Sequence, residues 1–470
     1  MHRLRPLAAL LGCLHILALA AQAQDRPNIV LLLADDLGWT GLRCFGSDFY
    51  ETPRLDALAG KGVKFTQAYA ACTVCSPTRA SLMTGQYPAR LHLTDFIAGQ
   101  NRPFAKMIIP DWSKGLAHEQ HTIAEALKAV GYRTGHVGKW HLNRPNHTEQ
   151  DSPLRHGFDT TYDRPPRTKG YKLAEKITQE TGHTYLTDIR TDKALEFITE
   201  SKEQSFFLYL AYNVPHTPIQ GRPDLVEAFA SKTNPKAVHH NAHYAAMVKS
   251  LDTSVGRILD CVNALDKADN TLVFFMSDNG GLTQRYGKHD HFTENLPLRR
   301  GKGSAYEGGV RVPAIAHCPG ITTPGTVCSE PIMSIDLYPT LLEIADAKAE
   351  GQHLDGRSLV PLLKAPKTTH FDRDLFWHYP HYHAGGDGPY SAIRSGPWRL
   401  IEFHENQHCA LYNLDTDLRE QTNLAARQAD RVQALRGKLH TWRASVNAQM
   451  PTLNPNHDPA RAMKVIRKRN

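Results

Sequence analysis

Beyond its first two dozen residues the chain lacks any apolar run near the roughly 20 residues that span a bilayer, so no stable membrane insertion is expected. It has no internal repeat. With 41% hydrophobic and 22% charged residues, and Gly and Pro at only 33 and 29 of 470, the composition excludes a disordered or collagen-like chain. Nor is there a basic stripe: 55 Lys and Arg are interspersed with 47 Asp and Glu, except from Lys464 to Arg469. The net charge of +8 therefore gives no nucleic-acid footprint. The mild excess suits steering of anionic substrates, or simply a solvated tail.

What is present begins with a leader. Arg3 and Arg5, the apolar stretch from Leu7 to Ala20, and Ala21-Gln22-Ala23 before Gln24 form the pattern of a secretory signal peptide. Removing the two leader arginines takes the charge from +8 to +6, and export to the periplasm or the extracellular space is expected. Of 8 cysteines, Cys13 leaves with the leader, so an odd number remains in an oxidising compartment. At least one then has a task other than pairing. Cys318 and Cys328 flank Pro319-Gly320 and Pro324-Gly325, where a loop-closing disulfide would fit, although the sequence alone fixes no connectivity.

Between Asn28 and about Lys364, short runs of Val, Ile, Leu and Phe alternate with helical patterns. This predicts the α/β class: a large, mostly parallel sheet sandwiched by helices. The clearest strands are Asn28 to Ala34, Tyr132 to Val137, Ser205 to Tyr212 and Thr271 to Ser277; helices are expected at His121 to Val130, Thr187 to Glu200 and His243 to Leu265. From about Thr368 the pieces shorten to Asp374–Tyr379, Ser391–Phe403 and Ala410–Asn413, which fit a smaller antiparallel sheet. The stripe Val432, Leu435, Leu439, Trp442, Val446 predicts a helix laid on it. The expected division is a signal peptide (1–23), an α/β catalytic domain (24–365), a small α+β domain (366–450) and a loose tail (451–470).

Polar residues sit where these strands end. Ile29 to Leu33 leads to Asp35-Asp36, and Leu272 to Met276 to Asp278-Asn279; Tyr132 to Val137 is followed by Lys139 and His141, and Phe206 to Tyr212 by His216. Carboxyl ends of parallel strands form the ligand crevice of open α/β sheets, so these groups are candidates to converge. Taken singly, each reads equally well as a turn aspartate, a helix cap or a surface histidine. Brought together, Asp35, Asp36 and Asp278 repel by roughly 4 kcal/mol per pair at 4 Å in an effective dielectric of 20, and such a cluster calls for a cation. Carboxylates plus the amide oxygen of Asn279 are hard ligands, pointing to Ca2+ or Mg2+ rather than zinc.

The segment Cys72-Thr73-Val74-Cys75-Ser76-Pro77-Thr78-Arg79 admits three readings: a CxxC redox pair, half of a zinc site, or a helix opening with Ser76 as N-cap and Pro77 at the first turn. The third places Cys75 at the positive end of a helix, facing any bound anion.

At this point the sequence resembles the formylglycine-dependent sulfatases of the alkaline phosphatase superfamily. Cys75-Ser76-Pro77-Thr78-Arg79 fits their C-x-P-x-R signature, followed by Ala80-Ser81-Leu82-Met83-Thr84-Gly85. Arg26 to Gly38 is similar to the opening strand, and Gly138-Lys139-Trp140-His141-Leu142 to the second signature. Pro215-His216-Thr217-Pro218, Ser277-Asp278-Asn279-Gly280, Leu298 to Lys302 and Tyr306 to Pro313 complete the resemblance. It implies a sulfuric ester hydrolase of the Cys type, in which Cys75 is oxidised to formylglycine by a generating enzyme. It also implies a divalent cation on Asp35, Asp36, Asp278, Asn279 and residue 75. Arg79 and Lys139 are implied to hold the nucleophile, and Lys139 and Lys302 to neutralise the sulfuryl group. His141 is implied as the base and His216 as the acid on the leaving oxygen.

For the substrate, Trp377-His378-Tyr379-Pro380-His381-Tyr382-His383 running into Gly385-Gly386-Asp387-Gly388 offers rings and imidazoles suited to sugars. His381 and His383 are the expected contacts, and a sulfated galactose or N-acetylgalactosamine unit the expected ligand. Two other functions are weighed against this one. A phosphonate or phosphodiester hydrolase can use the same scaffold, and an unconverted Cys75 would leave a non-catalytic sugar-binding protein.

Overall fold

The computed structural model describes residues 26–145, 149–163, 185–283 and 291–465. The expected leader, 1–23, lies outside them. The strands are β1 (Asn28–Ala34), β2 (Val63–Tyr69), β3 (Met107–Ile108), β4 (Arg133–Gly138), β5 (Thr160–Tyr162), β6 (Phe206–Ala211), β7 (Thr271–Ser277), β8 (Arg311–His317), β9 (Thr326–Cys328) and β10 (Ile332–Met333). These are followed by β11 (Asp374–Tyr379), β12 (Tyr390–Ser395), β13 (Trp398–Phe403), β14 (His408–Asn413) and β15 (Thr452–Leu453). The main helices are α1 (Pro53–Lys61), α2 (Cys75–Thr84), α3 (Ile123–Ala129), α4 (Leu186–Glu200), α5 (Ala242–Ala264), α6 (Leu337–Ile344) and α7 (Ala429–Ser445).

A large sheet runs in the order β10-β2-β8-β7-β1-β6-β4-β5, with β9 also on β2. All its pairings are parallel except those of β8, which runs against both β2 and β7. Every residue of β1 is buried, which explains its unbroken apolar run. Ile29, Leu31 and Leu33 pack into the core under α2, α3 and α6, whereas Val30, Leu32 and Ala34 pack under α1, α4 and α5. This is the helix–sheet–helix sandwich that the alternation of patterns predicts.

The smaller sheet, β11-β12-β13-β14, is antiparallel throughout. Ser391–Phe403, expected as one piece, is two strands folded at Gly396-Pro397. Leu435, Leu439, Trp442 and Val446 pack α7 against this sheet, and Trp442 stacks on Phe376 with centroids 4.7 Å apart. The two sheets are locked together by polar contacts: Trp377 Nε1 donates to Ala70 O at 2.9 Å, and Arg399 pairs with Glu307 at 2.9 Å.

Two expectations are corrected. The described residues after Pro451, 452–465, are not a loose run: β15 pairs with β3, and Asn454 Nδ2 donates to Pro103 O and Ala105 O at 2.9 and 2.7 Å. Cys318 and Cys328 do not pair; the cysteines among the described residues are free thiols. The reason is topological, because β8 and β9, which lead to and end at these cysteines, lie on opposite flanks of β2. Two strand spacings of about 4.8 Å exceed the roughly 7 Å limit for a disulfide. Among the described residues no helix is long and apolar enough to cross a membrane.

Candidate active site

Four parallel neighbours, β7-β1-β6-β4, end in register, with Ala34 opposite Ser277, Leu33 opposite Ala211, and Gly138 opposite Ala211. Their next residues therefore emerge at one edge. Gly138 has φ +108, and a Cβ there would stand 1.9 Å from Ala211 O. Only glycine permits the turn by which Lys139 N–H reaches Ala211 O at 2.7 Å and its side chain enters the site. Asp36 also has positive φ, 64°, held by its N–H to Asp278 Oδ1 and by Tyr244 Oη donating to its carbonyl.

Asp35, Asp36 and Asp278 are fully buried, and their carboxylate oxygens lie within 4.8 Å of one another. Three cations face them. Lys139 Nζ is 2.6 Å from Asp35, Lys302 Nζ is 2.7 Å from Asp36, and Arg79 donates twice to Asp278 Oδ2, at 3.0 and 2.7 Å. Burial alone would raise Asp35 and Asp36. The positive charges, Lys139 foremost for Asp35 and Lys302 for Asp36, reverse this and hold both below the usual carboxylate range. Burial and the Asp35 charge push Asp278 up to about 7.

Cys75 lies against this cluster, with Sγ 3.8 Å from Lys302 Nζ. Asp35, Cys75 and His216 likewise bring ligand atoms within 4.8 Å. The helix that carries Cys75 starts two residues earlier than the pattern predicts: Val74, not Ser76, is the cap and Cys75 the first helical residue of α2. Ser76 Oγ is thereby left to accept the Ile97 N–H at 3.1 Å. The redox reading fails because Cys72 and Cys75 are unpaired, and burial raises both thiols away from the reactive thiolate. The half-zinc reading finds no partner among the described residues, whose candidate metal groups contain no second cysteine.

His141 Nε2 bonds Ile97 O at 2.8 Å, so Nε2 carries the proton and Nδ1 keeps its lone pair; Nδ1 is buried without a partner. Burial, Lys139 and Arg79 lower its pKa well below the usual value, keeping the ring neutral. His216 Nδ1 lies 2.6 Å from Thr217 O, and its Nε2 is 3.7 Å from Asp36. Burial, with Lys302, lowers its pKa too.

The residues present fit a divalent cation. Asp35 Oδ1 and Asn279 Oδ1 are buried without hydrogen-bond partners, on the same cluster as Asp36 and Asp278. Three carboxylates, one of them with an orphaned oxygen, and one orphaned amide oxygen form a donor set of the Ca2+ or Mg2+ kind.

The two candidate histidines, both in the loop between β11 and β12, part company. His381 is buried, bonded to Thr94 Oγ1 at 2.7 Å and packed on Trp112 and Tyr379, so its ring serves the core rather than an open surface. His383 lies against Gly303, next to Lys302, where a Cβ would stand 1.9 Å from its Nδ1. Burial lowers its pKa to about 3, so it is a neutral donor or acceptor at the rim. Sequence reasoning missed Ser76, the Ile97 carbonyl and Ser277, whose Oγ accepts from Leu37 N and donates to Asn279 O. A backbone carbonyl leaves no residue-type signal.

A buried thiol, three carboxylates and three cations at the carboxyl edge of a mostly parallel sheet suit a hydrolase of anionic esters with an alkaline-phosphatase-like fold. Comparison with known proteins narrows the class. Residues 27–347 match the sulfatase family model, and 301–446 match the C-terminal model of N-sulphoglucosamine sulphohydrolase. A sulfatase of Formosa agariphila is 32% identical, over 91% of this chain and 90% of that protein. The mouse (Mus musculus) N-acetylgalactosamine-6-sulfatase is 34% identical, over 77% of this chain and 70% of its own. Among solved structures, Ps i-CgsB in complex with k-i-k-neocarrahexaose is similar at 29% identity and TM-score 0.75, covering 93% of this chain and 98% of that one. The phosphonate monoester hydrolase of Agrobacterium radiobacter, at 21% identity and TM-score 0.71 over 90% and 96% of the two chains, shares the fold. The chain belongs to the sulfatase family and is a sulfuric ester hydrolase.

Proposed function

We propose that the protein is an exported sulfatase that removes sulfate from a sulfated carbohydrate, with Cys75 converted to formylglycine and a divalent cation, Ca2+ or Mg2+, in the acidic pocket. The observation that carries this reading is the position of Cys75, 3.8 Å from Lys302 and beside the orphaned Asp35 Oδ1. Three carboxylates and three cations cancel in charge, so a divalent ion would make the pocket net positive and ready for an anionic sulfuryl group. Held by Asp35, Asp36, Asp278, Asn279 and residue 75, that ion supplies Lewis-acid polarisation.

Conversion by an oxygen-dependent generating enzyme, then hydration, gives residue 75 two hydroxyls: one to attack sulfur and form the sulfate ester, the other to lose its proton and expel sulfate. His141 Nδ1, whose lone pair is left unused because Nε2 donates to the Ile97 carbonyl, is the proposed acceptor of that proton. His216 is the proposed acid on the leaving alcohol, acting from its doubly protonated form, which burial and Lys302 oppose and the neighbouring Asp36 and Asp35 carboxylates favour. Arg79 positions Asp278 and the Lys139 backbone through bonds of 2.7 and 2.5 Å. Lys139 and Lys302 neutralise the transferring group. The name of the N-acetylgalactosamine-6-sulfatase relative supports an N-acetylgalactosamine-type substrate, with a galactose-type unit the other proposed ligand, and His383 is the proposed sugar contact. Export rests on the leader pattern in residues 1–23.

The test compares rates on an aryl sulfate and an aryl phosphodiester, followed by a panel of sulfated sugars. Preference for sulfate by at least tenfold is expected; preference for the phosphodiester would transfer the assignment to the phosphonate or phosphodiester hydrolases.

A further inference from the structure

The loop that delivers Lys302 also walls a cleft of about 420 Å3, formed by residues 294–300 on one side and 419–421 on the other. Its lining includes Arg299, Arg300, Arg419 and Gln421 over an apolar floor of Pro297 and Leu298. The three guanidiniums are not equally committed. Arg299 is fixed, stacked 3.8 Å over the Tyr306 ring and donating to Glu420 O at 2.6 Å. Arg300 is half exposed, with one loose contact, 3.4 Å to Asp387. Arg419 is exposed and, among the described residues, has no carboxylate within ion-pair distance. Of the two lining carboxylates, Glu420 is spent inward, on the Glu307 N–H at 2.8 Å and on Arg399, and only Glu294 is left to offset the arginines.

The cleft adjoins the pocket. Arg300 and Lys302 are two residues apart, at most about 7.6 Å between Cα atoms. The Asp387 that touches Arg300 is held by Ser304 Oγ at 2.7 Å, on the loop whose His383 lies against Gly303. A ligand with one anionic group at Lys302 would therefore lay its next unit along Arg300 and Arg419.

We propose that this cleft is a subsite for a second anionic group, a sulfate or carboxylate on the neighbouring unit of a polyanionic sugar chain. The proposal rests on the sulfatase reading above, and the experiment separates the two. Hydrolysis of an aryl sulfate by the full-length protein from its natural host is inhibited with dextran sulfate, which can reach both sites, and with inorganic sulfate, which fills one. Arg419→Ala is expected to raise the inhibition constant for dextran sulfate by about fivefold, the size of a good exposed charge contact, and Arg419→Glu by more. The constant for inorganic sulfate should not follow. The wild-type advantage of dextran sulfate should also shrink as salt is added. Equal constants in wild type and variants overturn the subsite, as does an equal rise in Lys348→Ala, an exposed cation outside the cleft. A wild-type protein that does not hydrolyse the aryl sulfate overturns the sulfatase reading itself, and the subsite with it.

Discussion

A thiol buried between two lysines and three carboxylates is unusual company for cysteine, whose ordinary place is an apolar core. Cys75→Ser keeps the size and one hydroxyl but lacks the second oxygen that expels sulfate. It is expected to form the covalent ester and stall, with less than one turnover per site in a sulfate-release assay. His141→Ala should cost on the order of 10²-fold in kcat, since a positioned base contributes about that much. At this scale the sequence was informative wherever the residue type carries the chemistry: Asp35, Asp36 and Lys139 fall at the edge their strand ends predict, and Cys75, Arg79 and Lys302, marked by the resemblance to the sulfatases, meet them there. It was uninformative for Ile97, which acts through a peptide group. His381 misled because its imidazole matches a sugar contact in type, while its neighbours Trp112 and Tyr379 bury it.

Elements were legible where burial is uniform. β1 and β7 span the residues their apolar runs mark, because both faces are covered and nothing interrupts the pattern. The β12–β13 hairpin was hidden because strand-like residues, Ile393 before it and Trp398, Leu400 and Ile401 after it, stand close on either side of a turn of only two residues, Gly396-Pro397. β15 was hidden because two residues carry no periodicity; its pairing depends on β3, more than 300 residues earlier in the chain. Truncation after Pro451 should therefore expose residues 103–108, and limited proteolysis is expected to cut there in the truncated protein but not in the full chain. The joint between the sheets makes a pH prediction. Glu420 is pushed up to about 8, by burial foremost and by Glu307, against Arg399. A carboxyl raised above its unfolded value binds more protons folded than unfolded, so it costs stability as pH rises from about 4.5 to 8. Glu420→Gln should flatten that part of a Tm-against-pH curve; an unchanged slope would show that Glu420 does not titrate there.

Across the whole molecule, one sheet gathers groups from positions 35 to 302, the smaller sheet is joined to it through Trp377 and Arg399, and the loop after β11 brings His383 against Gly303, next to Lys302. Such a pocket should be loosened without its ion. Chelation is expected to lower Tm and activity together, and Ca2+ or Mg2+ at about 100 times its dissociation constant should restore up to about 2.7 kcal/mol of stability. An unchanged Tm would argue against a cation on the acidic cluster. The most direct test of the account is the mass of the peptide containing residue 75, taken from protein purified from its natural host at several specific activities. The account predicts an aldehyde, or its hydrate, in proportion to turnover. A fully active preparation in which residue 75 is entirely an unmodified thiol would contradict it.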